Sequence, residues 1–146
     1  MTAILSQNLT GAGWKKRDDD GFVGLVGPFW ARSGPSGEML HGFLAEDRHV
    51  NLLGVVQGGM LMTFADRALG LAAWHAAGDK PCTTVQFNMN FTAGAQIGSF
   101  IEITPRVVRA TRSLIFLEGS LMSGETELAT AQGLWKVVWR GNATNT

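Results

Sequence analysis

The hydrophobic pattern of the first half of the chain predicts two strands followed by one long helix. The short apolar runs FVGLVGPFWAR (22–32) and GEMLHGFLAE (37–46), separated by the turn-rich SGPSG, are typical of strands. Between residues 57 and 76 there is no proline, and alanine and leucine fill most helical faces. Gly78 can cap such a helix and Pro81 prevents its continuation, so we expect a helix over about 57–77.

After Pro81 the pattern changes to strands. The run CTTVQFNMNFTA (82–93) alternates, with Val85, Phe87, Met89 and Phe91 on one face. Three more strand-like runs follow, SFIEITPRVVRAT, SLIFLEGSLMS and ELATAQGLWKVVWR, and AGAQIG, ATRS and SGET between the four runs are plausible hairpin turns. Two strands, a helix and four strands predict a single antiparallel β-sheet wrapped around one central helix, the α+β hotdog fold.

The same pattern sets the domain boundaries that we expect. Residues 1–21 have weak periodicity and form an N-terminal arm or short helix, residues 22–140 form a single domain, and residues 141–146 form a C-terminal tail. The chain has 146 residues, which is the usual size of one domain with one core.

The balance of charges makes some kinds of binding partner less plausible. The chain has 12 Lys plus Arg and 12 Asp plus Glu, so it has no strong electrostatic field that would favour binding to nucleic acid or to an anionic membrane. The most apolar window contains Asp66, Arg67 and His75, which are costly in lipid, and therefore predicts a buried helix. The single cysteine, Cys82, and a first thirty residues without an apolar signal segment predict a cytoplasmic protein.

The segment NLLGVVQGGMLMTFAD (51–66) resembles the signature of the PaaI-like acyl-CoA thioesterases of the hotdog superfamily. That family has Asn, Gly, a His-Gly-Gly triplet and a helical Asp at this spacing, and the resemblance extends over roughly residues 38 to 139. Gln57 stands where most of the family has histidine, although other hotdog thioesterases use glutamine near this position. The resemblance implies hydrolysis of an acyl-CoA thioester without a cofactor or metal.

The helix start and Asp66 have a chemical logic of their own. A helix that begins at Gly58 presents free N–H groups and a positive dipole end, which would polarise a thioester carbonyl, and Gly58 and Gly59 let a ligand approach the backbone. Asp66 lies on a mostly apolar helix face, where burial would make its carboxylate a better base. The alternatives are a tight strand-to-helix turn and a structural aspartate paired with an arginine across an interface.

Helix geometry predicts a dimer independently of the resemblance. Asp66 lies eight residues after Gly58, about 12 Å along the helix axis at ~1.5 Å per residue. Reacting atoms must approach within about 3–3.5 Å. If both groups act on one thioester, Asp66 must therefore come from a second subunit, and a two-fold contact would create two shared sites.

The resemblance assigns the remaining roles. Asp66 would be the nucleophile or the general base, Gly58 N–H would polarise the carbonyl, and Gln57 and Asn51 would position thioester or water. Thr84 would orient the attacking water, unless it is an ordinary strand threonine. The coenzyme A substrate would contact Gly59, Val85, Phe91 and Thr92 and, through its phosphates, Arg109 and Arg112, which are otherwise solvated charges. The family also implies a homodimer that pairs into a homotetramer.

Other classes of protein are less well supported. His41, His49 and His75 follow no metal-ligand pattern, so they are expected in the core or on the surface. No G-x-S-x-G motif supports a serine hydrolase, and Gln57 disfavours a hotdog dehydratase, which needs a histidine. The competing hypothesis is a hotdog dimer that binds an acyl-CoA or aromatic ligand without hydrolysing it: Gln57 favours this reading and Asp66 favours turnover.

Overall fold

The computed structural model describes residues 2–138 and confirms the hotdog architecture, an antiparallel sheet that packs against one long helix. The elements in chain order are α1 (Thr2–Gly11), β1 (Lys15–Lys16), α2 (Gly21–Val26), β2 (Phe29–Ser33), β3 (Met39–Leu44), a 3-10 turn (Asp47–His49), α3 (Gly58–Ala76), β4 (Cys82–Phe91), β5 (Phe100–Ile103), β6 (Arg106–Ala110), β7 (Leu114–Ser123) and β8 (Thr126–Val137). The predicted tail, 141–146, and the end of the last predicted strand lie outside the described residues.

The strands form one sheet in the order β1-β2-β3-β5-β7-β8-β4, with β6 also paired to β7. Because β4 and β5 are not neighbours, AGAQIG is a crossover and the prediction of a hairpin there is wrong. ATRS and SGET do connect paired strands. The run SFIEITPRVVRAT is interrupted at Thr104 and Pro105, so five strands rather than four follow the helix.

Helix α3 runs from Gly58 to Ala76, close to the predicted 57–77. Gly78 ends it with a positive φ of 71°. The Gly78 N–H donates to His75 O at 3.1 Å and the Asp79 N–H donates to Trp74 O at 2.8 Å, which satisfies carbonyls of the last turn. No helix within residues 2–138 is long and apolar enough to cross a bilayer.

The core lies between α3 and the concave face of the sheet. The helix buries Leu61, Phe64, Ala65, Ala68 and Leu69, which follow the spacing of one helical stripe. An aromatic group of Phe29, Phe43 and Phe64, with ring centroids 4.8–6.0 Å apart, joins the helix to β2 and β3. This packing fixes the position of the helix against the sheet and therefore of every residue that α3 carries.

The first predicted strand is only half correct. Residues 21–26 form the short helix α2, and the strand begins at Phe29. The apolar run was too short for periodicity to separate a helix from a strand. Three contacts hold α2 in place: the Arg48 guanidinium donates to Leu25 O at 2.6 Å, His49 Nε2 lies 2.7 Å from Val26 O, and Asp19, just before α2, forms an ion pair with Arg67 of α3.

Candidate active site

The start of α3 leaves two backbone donors free. Gln57 is the N-cap, and its carbonyl accepts from the Met60 N–H at 2.9 Å and the Leu61 N–H at 3.2 Å. Within residues 2–138, neither the Gly58 N–H nor the Gly59 N–H has a hydrogen-bond acceptor. Both amides lie at the positive end of a 19-residue helix, which is an arrangement that binds a carbonyl oxygen or an anion.

The loop before α3 is shaped by Asn51. Its side-chain oxygen accepts from the Leu53 N–H at 2.8 Å and the Val55 N–H at 3.2 Å, and Gly54 supplies the positive φ of 84° that the turn needs. Because the Asn51 oxygen is committed to the turn, only the side-chain NH2 is available for a ligand. Gln57 is exposed, and its backbone N–H donates to His49 O at 2.8 Å.

His49 is a buried structural residue that sequence reasoning did not single out for this role. Its Nδ1 accepts from the Glu46 N–H at 3.0 Å, so the proton is on Nε2, which donates to Val26 O at 2.7 Å. The residue therefore connects α2, the 3-10 turn and, through its own carbonyl, the N-cap of α3. It has both ring nitrogens occupied and is not a candidate base.

Asp66 and Thr84 are in direct contact within one protomer. The Thr84 hydroxyl donates to Asp66 Oδ1 at 2.7 Å, and Asp66 is partly exposed on α3. A β-bulge makes this possible: Thr84 pairs with Trp135 and Gln86 with Leu134, which leaves Val85 as the extra residue. The bulge turns Thr84 to the side of Phe87 and Met89, which pack on the core, and breaks the predicted alternation at Val85.

The neighbouring arginine does not pair with Asp66. Arg67 forms an ion pair with Asp19 of the N-terminal arm, next to the buried His41. Burial, together with the smaller effects of the Arg17 and Arg67 charges, lowers the pKa of His41 from 6.5 to about 4. His41 is therefore neutral at pH 7.

The other predicted substrate contacts form one group at β4 and a second group of two arginines on β6 and the turn after it. Val85 and Phe91 are half exposed on β4, and a Cβ on Gly58 would meet the Phe91 ring at 3.4 Å. The Thr92 hydroxyl already donates to Glu127 O at 3.2 Å, which ties the residue after β4 to the start of β8.

Arg109, on β6, and Arg112, in the turn that follows, are exposed. Neither forms an ion pair within the described part of the chain, whereas Arg106 is paired with Glu118. Arg109 and Arg112 are thus the arginines of this hairpin that are free to meet phosphate.

A cavity of about 890 Å³ opens beside the helix start. Asn51, Gln57 and Gly59 line its polar side, and its apolar residues are Phe22, Val26, Val50, Leu52, Leu53 and Met60. Sequence analysis identified the polar side only, because residues 22–26 were assigned to a strand. Across residues 2–138, no three His, Cys, Asp or Glu side chains are grouped so that they could hold a metal ion.

A family model described as the thioesterase superfamily matches residues 53–130, which include Gln57, Gly58, Asp66 and Thr84. The chain belongs to the thioesterase superfamily. This confirms the predicted PaaI-like hotdog thioesterase and the prediction of a thioester hydrolase at the level of the family.

Relatives of this superfamily member cover most of its length. A Pseudomonas aeruginosa relative, provisionally named an esterase, is 31% identical over 112 residues, which cover 76% of this chain and 84% of that protein. Human acyl-coenzyme A thioesterase 13 is 26% identical over 112 residues, 77% of this chain and 80% of the human one. The crystal structure of zebrafish thioesterase superfamily member 2 superposes with a TM-score of 0.74 at 25% identity over 83% of this chain and 89% of that one.

Proposed function

We propose that the protein hydrolyses acyl-CoA thioesters at two sites that are shared between the subunits of a homodimer. The observation that carries this proposal is the separation of two chemical groups along α3. The free amides are at Gly58 and Gly59, and the Asp66–Thr84 pair lies about 12 Å further along the axis. One thioester cannot contact both groups of the same helix.

Strand β4 provides the surface through which a second copy would complete the site. It is the last strand of the sheet order, and its outer edge has no strand partner in the part of the chain that the structure describes. Thr84, near one end, contacts Asp66, and Phe91, at the other end, lies over Gly58. Antiparallel pairing of two β4 strands about their middle exchanges these ends, which brings Asp66 towards the partner's Gly58.

The reaction follows from these groups. The Gly58 N–H polarises the thioester carbonyl and stabilises the negative charge that develops on its oxygen. The Thr84 hydroxyl donates to Oδ1 of Asp66, so Oδ2 is the oxygen that acts on water or on the thioester. The side-chain amides of Gln57 and Asn51 donate to the thioester or hold the water. The C–S bond breaks, the CoA sulfur takes a proton, and the free acid is released.

Asp66 has two possible roles in this reaction. As a general base it takes a proton from water while the water oxygen bonds to the carbonyl carbon. As a nucleophile it forms a mixed anhydride, which water then opens. A single turnover in H2(18)O tests for the nucleophilic role. Opening of the anhydride at the Asp66 carbonyl places the label in Asp66 and releases an acid with an unlabelled aspartate oxygen, whereas direct water attack leaves Asp66 unlabelled and places the label in the acid.

Binding of the coenzyme A portion uses the exposed cations and β4. Arg109 and Arg112 meet the phosphates, and the pantetheine arm passes Val85, Phe91 and Thr92. Pairing of two dimers into a tetramer and a cytoplasmic location stay predictions from the sequence.

The test of this function is thiol release from a panel of acetyl-, octanoyl-, palmitoyl- and phenylacetyl-CoA. We expect turnover with at least one of them, and loss of that turnover in Asp66→Asn. Binding of acyl-CoA without thiol release across the panel would favour the alternative, a non-catalytic acyl-CoA-binding dimer, which the replacement of histidine by Gln57 favours.

A further inference from the structure

The cavity beside the helix start is lined by both polar and apolar residues. Gln57 and Gly59 border it at the helix start, and Phe22, Leu52, Leu53 and Met60 are among its apolar residues. Leu52 is fully exposed in the protomer, Leu53 is 87% exposed and Phe22 is 63% exposed. A volume of about 890 Å³ lies within the usual range for small-molecule sites, which is roughly 300–1,000 Å³.

We propose that this cavity holds the acyl group and that α2 selects it, with Phe22 as the specificity-determining residue. The inference rests on the proposed thioesterase function and names its substrate class: acyl groups with an aliphatic chain or aromatic ring, in preference to acetyl or malonyl. A thioester held at the Gly58 amide would place its acyl chain against the exposed side chains of Phe22, Leu52 and Leu53.

The charges around the cavity support an uncharged acyl group. Arg48 is the only charged residue among the lining residues. Its guanidinium donates to Leu25 O at 2.6 Å and lies 3.5 Å from the Glu46 carboxylate, so it already has an acceptor and a partner of opposite charge. A second carboxylate on the acyl group would enter an apolar space without a free cation, which is costly.

Helix α2 is tied to the same residues that position the catalytic amides. His49 donates from Nε2 to Val26 O at 2.7 Å and accepts the Gln57 N–H at its carbonyl at 2.8 Å. Arg48 holds Leu25, and the Asp19–Arg67 ion pair holds the segment before α2. Helix α2, which carries Phe22, is therefore held in a fixed position relative to the start of α3. A residue that selects the acyl group needs such a fixed position.

The test compares Phe22→Ala with Leu25→Ala. Leu25 is 70% exposed on the same helix but does not line the cavity, and its backbone carbonyl keeps its contact with Arg48 in the variant. We expect Phe22→Ala to lower kcat/KM for octanoyl-CoA and phenylacetyl-CoA by about tenfold, chiefly through KM, and to change acetyl-CoA hydrolysis less than about twofold. Leu25→Ala should leave all three unchanged. Equal losses on acetyl-CoA and octanoyl-CoA, or equal losses in both variants, would overturn the inference.

A binding measurement separates this inference from the proposed function. Calorimetry with octanoate, phenylacetate and acetate requires no hydrolysis. One outcome is that the wild type binds octanoate or phenylacetate, Phe22→Ala weakens this binding, and no thiol is released from any acyl-CoA. That result would support the acyl cavity and refute the thioesterase function. Thiol release from octanoyl-CoA that Phe22→Ala does not change would support the thioesterase function and refute the role of Phe22. Circular dichroism confirms that each variant is folded.

Discussion

Replacing Gly58 with proline removes one hydrogen-bond donor and adds a ring next to Phe91, which lies 3.4 Å from a Cβ at this position. Proline has no N–H, and the Gly58 N–H has no acceptor within the described residues, so no structural hydrogen bond is lost. Gly58 is the first residue of α3, where proline is favoured, and Gln57 before it has φ −56° and ψ 132°, a conformation compatible with a following proline. The helix should therefore form.

The matched control is Gly58→Ala, which keeps the N–H. Its Cβ would lie 3.4 Å from the Phe91 ring, an ordinary contact, so Gly58→Ala reports the cost of the added Cβ. Loss of one donor to a developing oxyanion lowers kcat by about 10²–10³-fold, or roughly 2.7–4 kcal/mol. We expect that difference between Gly58→Pro and Gly58→Ala.

The assay is steady-state thiol release from the best acyl-CoA of the panel, with thermal unfolding to verify that both variants are folded. If Gly58→Pro keeps kcat within threefold of Gly58→Ala, the Gly58 amide does not stabilise the oxyanion, and the assignment of the helix start as an oxyanion hole is refuted.

Three further perturbations test Asp66, the Asp19–Arg67 ion pair and the buried His41. Asp66→Asn should lower kcat at least about 10²-fold, and size-exclusion chromatography should show an intact dimer. The control is Asp79→Asn, at an exposed position with left-handed backbone that asparagine tolerates, and it should not lower kcat. Equal rates in the two variants would show that Asp66 has no part in the mechanism. Asp19→Asn should lower the free energy of unfolding in urea by about 1–3 kcal/mol, since Arg67 loses its charged partner; an unchanged midpoint would show that the ion pair does not stabilise the fold. The pKa of His41 is about 4 in the folded protein and 6.5 in the unfolded chain, so between these pH values only the unfolded state binds the proton. The free energy of unfolding should therefore fall by up to about 3 kcal/mol as pH decreases from 6.5 to 4. Urea titrations of the wild type and His41→Gln at pH 7 and 4.5 measure this, and an equal acid loss in both would contradict it.

The long helix and the candidate catalytic segment were predictable because their signals are local. The proline-free run before Gly78 defines α3, and the spacing from Asn51 to Asp66 lies within one loop and one helix. The 12 Å separation of Gly58 and Asp66 follows from helix geometry alone.

Features that depend on tertiary contacts were missed. Residues 22–26 form a helix because Arg48, His49 and the Asp19–Arg67 ion pair hold them there, and Asp19 and Arg67 are 48 residues apart. The bulge at Val85, which turns Thr84 to Asp66, depends on the register with β8. Local alternation contains neither signal, so the cavity beside the helix start and the Thr84–Asp66 contact could be found only from the structure.

The measurement that tests the shared site most directly is complementation between two inactive variants. Asp66→Asn lacks the acid, and Gly58→Pro lacks the amide donor. In a shared site, a mixed dimer has one site with both groups intact and one with neither. Random mixing then restores about a quarter of wild-type activity, because half of the dimers are mixed and each has one working site.

Equal amounts of the two variants, unfolded and refolded together, are compared with each variant refolded alone. The account predicts recovery to about a quarter of the refolded wild type, in proportion to the mixed dimers counted by native mass spectrometry. Mixed dimers that form but show no activity above the separate variants would place both groups in one protomer and contradict the account.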